Sequence, residues 1–268
     1  MANTKDDKLK AFGRLLDVLD KLRVECPWDR KQTNESLRPN TIEETYELCD
    51  ALLQDDVPNI KKELGDVLLH VCFYAKIADE KGQFDIADVC NQLCDKLIFR
   101  HPHVYPPQGQ QANASITSDQ VLKNWEQIKQ KEKDGNKSVL SGVPVSLPSI
   151  IKADRIQEKA SNVGFDWEKK EDVWEKVKEE IAEFEQAADS QEAEEEFGDV
   201  LFSLINAARL YKINPDNALE RTNQKFIRRF NYIESAAKKQ GKLLKELSLS
   251  EMDELWKEAK ACLNENVN

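Results

Sequence analysis

The amino-acid sequence predicts an all-α protein built as a tandem repeat of two helical-bundle domains. Three observations predict it. Apolar residues recur at a spacing near 3.6 through almost the whole chain, and no alternating stretch reads as a strand. Gly and Pro number only 9 each in 268 residues, while Leu, Glu, Lys and Ala are abundant. Two acidic words, each joined to the same kind of neighbour, occur twice in the same order.

The elements follow from the periodicity and its punctuation. Leu9, Phe12, Leu15, Leu16, Leu19 and Leu22 make one stripe on a first helix. Further helices are predicted over 41–54, 58–81, 85–100 and 118–133, then over 149–162, 171–188, 191–212, 215–240 and 250–263. Pro58 and Pro215 stand where a first-turn proline belongs, Asn214 and Ser250 suit N-caps, and Gly82 and Gly241 follow helix ends. The stretch KDGNKSVLSGVPVSLPS, residues 133–149, gathers Gly, Pro and Ser and breaks the periodicity, so it is read as the linker between domains 1–132 and 150–268. A second Pro- and Gly-bearing stretch, 104–119, is read as a connection within the first copy.

Composition excludes several classes. A net charge of −11 repels phosphate backbones, so general nucleic-acid binding is not expected. A polyphosphate ligand remains compatible if divalent cations sit between the two negative partners. The first residues, MANTKDDKLK, lack the apolar run of a signal peptide, and the most apolar stretch is too short to span a bilayer. The 6 cysteines contain no Cys-x-x-Cys pair, as expected of free thiols in the cytoplasm.

The repeat carries the chemistry. Glu43-Glu44-Thr45-Tyr46-Glu47 precedes Glu63-Leu64-Gly65-Asp66, and Glu179-Glu180-Ile181-Ala182-Glu183 precedes Glu196-Phe197-Gly198-Asp199. Lys96 and Arg100 answer to Lys225 and Arg229, and Trp125 and Lys129 to Trp256 and Lys260. Acids three apart share one helix face. A short turn around Ala188–Gln191 brings Glu180 and Glu183 opposite Glu196 and Asp199, and the first copy repeats this with Glu44, Glu47, Glu63 and Asp66. Two unit charges 4 Å apart repel by about 4 kcal/mol at an effective dielectric of 20, so four such groups call for cations. All-oxygen ligands suit Mg²⁺, with Mn²⁺ as a substitute, bridging to substrate phosphates. Gly65 and Gly198, costly inside a helix, are read as places where a ligand or another backbone comes close. Lys225, Arg228 and Arg229 form a clamp for phosphate oxygens. Trp256 is read either as a base-stacking ring or as core, and Lys176 either as a phosphate contact or as a surface pair. His70 is read as packing, because the second copy carries no histidine at the corresponding place.

The pattern Glu-Glu-x-x-Glu followed by Glu-x-x-Asp resembles the signature of the all-α nucleotide pyrophosphohydrolases. The words CPWDRKQT, IEETYELCDAL, ELGDVLLHVCFYA, DKLIFRHPHVY, NWEQIK, NVGFDW and NQKFIRRF resemble the MazG branch of that family over nearly the whole chain. The resemblance implies a four-helix metal-binding core per domain, a homodimer, and Mg²⁺-dependent hydrolysis of ribo- and deoxyribonucleoside triphosphates at the α–β linkage. It implies Glu180, Glu183, Glu196 and Asp199 as metal ligands, with Glu44, Glu47, Glu63 and Asp66 as a first-copy site. It sets Lys176, Glu179, Glu195, Lys225, Arg228, Arg229, Trp256 and Lys260 at the substrate. Glu192 and Ala193 depart from relatives that carry a basic residue there. Glu179 or Glu183 is the expected general base. The double arginine of Lys-x-x-Arg-Arg favours the second copy as the catalytic one, leaving the first as a weak enzyme, a nucleotide sensor or a dimerisation half. Two rival readings are a pyrophosphohydrolase dedicated to one modified nucleotide and a non-catalytic nucleotide-binding regulator with a protein partner.

Overall fold

The computed structural model describes residues 3–107 and 138–264, together with Gly109, Ile116, Thr117, Gln120, Val121, Asn124 and Ile128. The predicted helix over 118–133, with its Trp125–Lys129 pair, and most of the 104–119 connection lie outside the described residues. The chain forms two compact units, residues 1–121 and 122–268. Among the described residues every regular element is a helix, as the periodicity predicts.

The first unit contains α1 (Lys5–Glu25), α2 (Asn34–Leu53), α3 (Val57–Asp79) and α4 (Ile86–Arg100). Thr4 and Asp7 close a capping box at the start of α1. The predicted start of α2 at 41 is corrected to Asn34, because Thr33 and Ser36 already close a box there. Pro39 therefore lies inside the helix, where it removes one backbone bond without ending a helix that is already capped. Thr41, placed at a helix start by the sequence reading, is an interior residue whose hydroxyl bonds the Leu37 carbonyl and meets His70 Nδ1 at 3.1 Å. His70 is buried and packs as expected. Leu19, Leu37, Cys72, Phe73 and Ile77 form the core, with Phe12, Leu15 and Leu16 against it. Leu9 and Leu22, at the ends of the predicted stripe, stay exposed.

The second unit contains α5 (Ser149–Asn162), α6 (Val173–Gln186), α7 (Ser190–Leu210), α8 (Pro215–Lys239) and α9 (Leu249–Asn264). Asn214 caps α8 as predicted, its side chain accepting from Asn217 N at 2.8 Å. For α9 the capping residue is Ser248 and not Ser250: its hydroxyl accepts from Glu251 N, and Glu251 returns a 2.7 Å bond from Ser248 N. Three residues separate Ser248 from that glutamate, the spacing a capping box requires. Gly82 and Gly241 adopt φ of 62° and 70° past the ends of α3 and α8, the left-handed geometry that terminates a helix.

Both units leave an equivalent apolar stripe uncovered. Leu64, Leu68 and Val71 on α3 correspond in the repeat to Phe197, Leu201 and Leu204 on α7, and all six are exposed. A Cβ added at Gly65 or Gly198, on the same two helices, would meet nothing within 4 Å. Among the described residues, packing therefore does not demand either glycine, and none comes close to the space a side chain there would fill.

Phe73 is only 2% exposed at the centre of the first core. Phe73→Ala is expected to lower the stability of this unit by about 3–5 kcal/mol, measured by urea denaturation; a loss below about 1 kcal/mol would show that the ring is not a core anchor.

Candidate metal and nucleotide site

In the second unit, α6 and α7 pack side by side across a turn. Asp189 caps α7 by accepting from Gln191 N and Glu192 N, and the Phe184 and Phe197 rings meet at 5.5 Å near the same end. This hairpin brings carboxylate oxygens of Glu180, Glu183 and Glu196 within 4.8 Å of one another. Glu180 is buried, and Lys176 Nζ lies 2.7 Å from it and 2.8 Å from Glu179. That pairing holds the Lys176 ammonium well above its ordinary pKa, Glu179 contributing most. Glu183 moves upward, through desolvation first, then a hydrogen bond to Glu180 and the negative charge of Glu180 and Glu196. A carboxyl that resists ionisation here is the response to crowding that a cation would relieve. Asp199 stands outside the tight trio. It lines, with Lys176 and Glu180, part of an adjoining cavity.

The first unit repeats the arrangement with one exchange. Glu44, Glu63 and Asp66 gather within 4.8 Å, and Glu47 lies apart from them. Desolvation, then Asp66, Glu47 and Glu63, push the Glu44 carboxyl up. Glu63 is buried and its Oε2 has no hydrogen-bond partner, an orphaned acceptor that suits a cation. Here the neutralising lysine comes from α3: Lys62 Nζ is 2.8 Å from Glu63 and 3.9 Å from Glu47. The second copy carries Glu195 at that position, so its cluster is more negative and takes its lysine from α6 instead. In both copies the donor set is entirely carboxylate oxygen, which fits a hard divalent cation.

The cavity beside the second cluster measures about 630 Å³ and includes Gln157, Trp167, Phe202 and Asn206 in its walls. Its loop is pinned by Asp166, which accepts 3.0 and 2.5 Å bonds from the Arg209 guanidinium, a 2.6 Å bond from Ser161 and a 2.9 Å bond from Trp167 N. The Arg209 bonds, above all, pull the Asp166 carboxyl down to about 2. Reading the sequence for acids and cations missed this wall. The signal lay in the repeat itself, where Ser203 and Asn206 stand in register with His70 and Phe73.

The predicted phosphate clamp sits on α8 and α9. Arg229 lies over the Trp256 ring at 5.5 Å, and Phe226 meets the same ring at 5.1 Å. Trp256 packs against the Ile233–Ala237–Leu247–Leu255 core. Lys225, Arg228 and Lys260 are exposed, and among the described residues none of them pairs with the acidic cluster.

A paired-acid helical hairpin written twice, each with its lysine, presents two carboxylate clusters of the kind that could hold a metal ion. The profile of the MazG nucleotide pyrophosphohydrolase domain matches residues 32–105 and 169–233, one match on each hairpin. A Thermotoga maritima protein named nucleoside triphosphate pyrophosphohydrolase/pyrophosphatase MazG is 46% identical over 93% of this chain and 95% of its own length. An Escherichia coli K12 protein named nucleoside triphosphate pyrophosphohydrolase is 40% identical over 94% of this chain and 98% of its own. An uncharacterised Bacillus subtilis protein, YabN, is 45% identical over 96% of this chain and 53% of its own. The chain belongs to the MazG nucleotide pyrophosphohydrolase family.

Because the Asp166 pKa is lowered on folding, its contribution to stability is fully present above about pH 4 and is lost as pH falls through about 2. The thermal midpoints of wild type and Asp166→Asn are therefore expected to differ by a constant gap from pH 7 to about pH 4, and to converge below. A gap that persists unchanged at about pH 2 would show that the lost contact is not the ionised pair.

Proposed function

We propose that the second unit hydrolyses nucleoside triphosphates to the monophosphate and pyrophosphate, with broad base specificity. The observation that carries this is the trio Glu180, Glu183 and Glu196, gathered within 4.8 Å of one another, with Lys176 beside them and Glu180 also lining a cavity. Glu180, Glu183, Glu196 and Asp199 would hold Mg²⁺, or Mn²⁺ in its place. When bound, the ion supplies Lewis acidity toward phosphate oxygens and lowers the pKa of water.

The chain's own residues divide the remaining work. The α–β anhydride bond breaks as a water oxygen bonds to the α-phosphorus, and pyrophosphate leaves. Of the two candidate bases, Glu179 is held in an ion pair with Lys176. Glu183 is exposed, and desolvation, its hydrogen bond to Glu180 and the charges of Glu180 and Glu196 raise its affinity for a proton, so its carboxylate is the better acceptor for the water's proton. Lys176, with Lys225, Arg228, Arg229 and Lys260, offsets charge on the phosphates, and Trp256 orients the Arg229 guanidinium through its ring face. Glu195 adds to the negative rim that favours a cation-bound phosphate over a bare one. The second unit is assigned the turnover because Glu195 stands where the first unit has Lys62, which leaves its cluster the more negative of the two. That difference favours a regulatory or assembly role for the first unit. Six free cysteines suit a reducing cytoplasm; among the described residues no helix is long and apolar enough to cross a membrane.

Pyrophosphate release from a panel of nucleoside triphosphates is expected with Mg²⁺ and not with EDTA. Glu180→Gln should reduce it at least about 100-fold while keeping the helical circular dichroism, and Glu44→Gln should leave it within about threefold. Loss in Glu44→Gln alone would reverse the assignment of the units.

The matching uncovered stripes support a homodimer, since large apolar faces on a folded chain mark association surfaces. Light scattering is expected to give twice the chain mass for wild type and the monomer mass for Leu201→Glu. An unchanged dimer in that variant would take the α7 stripe out of the interface.

A further inference from the structure

We infer that Lys62 and Lys176 are place-holders in the two acidic clusters: each ammonium sits on the buried glutamate of its copy until a divalent cation displaces it. In the second unit the released lysine then turns to the substrate's phosphates. This rests on the cation sites of the proposed hydrolase, and it holds whether or not the second unit turns nucleotide over.

The duplication shows what the lysines are there for. The repeat keeps the acids in register, Glu44 with Glu180 and Glu63 with Glu196, but it keeps neither lysine. Asn40 stands in register with Lys176, and Glu195 with Lys62. The buried member of the trio also changes helix between the copies: it is Glu63 on α3 in the first and Glu180 on α6 in the second. The lysine changes helix with it. Lys62 Nζ lies 2.8 Å from Glu63, and Lys176 Nζ lies 2.7 Å from Glu180. Two lysines from unrelated positions of the repeat thus reach the same kind of partner.

Helix geometry favours neither contact. Adjacent residues on a helix point apart, so Lys62 folds back to meet Glu63. A lysine four residues before a glutamate, as Lys176 is before Glu180, is the weaker order of such a pair. What draws both ammonium groups in is the charge of a carboxylate that has left water. Their side chains remain 62% and 38% exposed, so each can swing out to solvent without unpacking the hairpin.

One ammonium meets only part of each cluster. Lys176 also holds Glu179, and Lys62 also lies 3.9 Å from Glu47, and both of these acids stand outside the trios. Among the described residues no lysine or arginine pairs with Glu183 or Glu196, nor with Glu44 or Asp66. Glu63 Oε2 is buried without any partner. A divalent cation takes several carboxylate oxygens at once, so it gains from all three acids of a trio what a lysine gains from one. Lys176 already lines the cavity beside its cluster, so its ammonium, once off Glu180, stays next to the site. Cation loading in the second unit therefore frees a positive group for the phosphates that follow.

The test needs no turnover. Mn²⁺ binding without nucleotide, followed by electron paramagnetic resonance, is measured for wild type, Lys62→Met and Lys176→Met, with Glu63→Gln and Glu180→Gln identifying the two sites. Each lysine variant is expected to tighten its own site about tenfold and to leave the other within about twofold. Lys176→Arg keeps the competing charge and should bind no more tightly than wild type. Amine labelling of the wild-type protein, read by mass spectrometry, follows the lysines themselves: labelling of Lys62 and Lys176 is expected to rise severalfold when Mg²⁺ is added. Unchanged Mn²⁺ affinity in both methionine variants, or labelling indifferent to Mg²⁺, would overturn the place-holder role and leave the cation sites standing. Absence of any saturable Mn²⁺ binding would remove both.

Discussion

The structure of the second unit is organised around a repulsion. A buried carboxylate, Glu180, shares one small volume with Glu183 and Glu196. Left alone, such a group either takes up protons or opens the hairpin. Lys176 meets part of the charge, and the upward displacement of Glu183 shows that part remains. The hairpin therefore needs to be held shut by something other than its acids. Asp189 at the turn and the Phe184–Phe197 contact do this on one side, and the apolar faces packed against α5 and α8 do it on the other.

The two copies show how little has to change to redirect such a site. In the first, Lys62 on the acid-bearing helix itself neutralises the buried Glu63. In the second the corresponding residue is Glu195, and the counter-charge comes from the neighbouring helix. A few residues further along, His70 and Phe73 fill what Ser203 and Asn206 leave open. Both exchanges mark one divergence: the second copy is the more negative at its cluster and carries the smaller, non-aromatic residues at these two positions.

Much of this was legible in the chain. Helical periodicity, the capping residue Asn214, and the glycines at 82 and 241 all report local energies, which act over a few residues and survive in the sequence. The predicted α2 start at 41 missed the Thr33–Ser36 box, which had already started the helix at Asn34. Ser250 competed with Ser248 on composition alone, and only the geometry of Glu251 separates them.

By itself, the sequence determined the all-helical class, the duplication and the paired acids, because spacing on a helix places residues on a face without reference to anything else. Only the tertiary structure decided which three of four acids converge, which lysine each cluster receives, and that Arg229 lies over Trp256. Those outcomes depend on the distances between helices, and these are set by the bulk of side chains far apart in the chain. The cavity is the clearest case. Neither Gln157 nor Asn206 belongs to an acidic word, and each reaches its wall through packing.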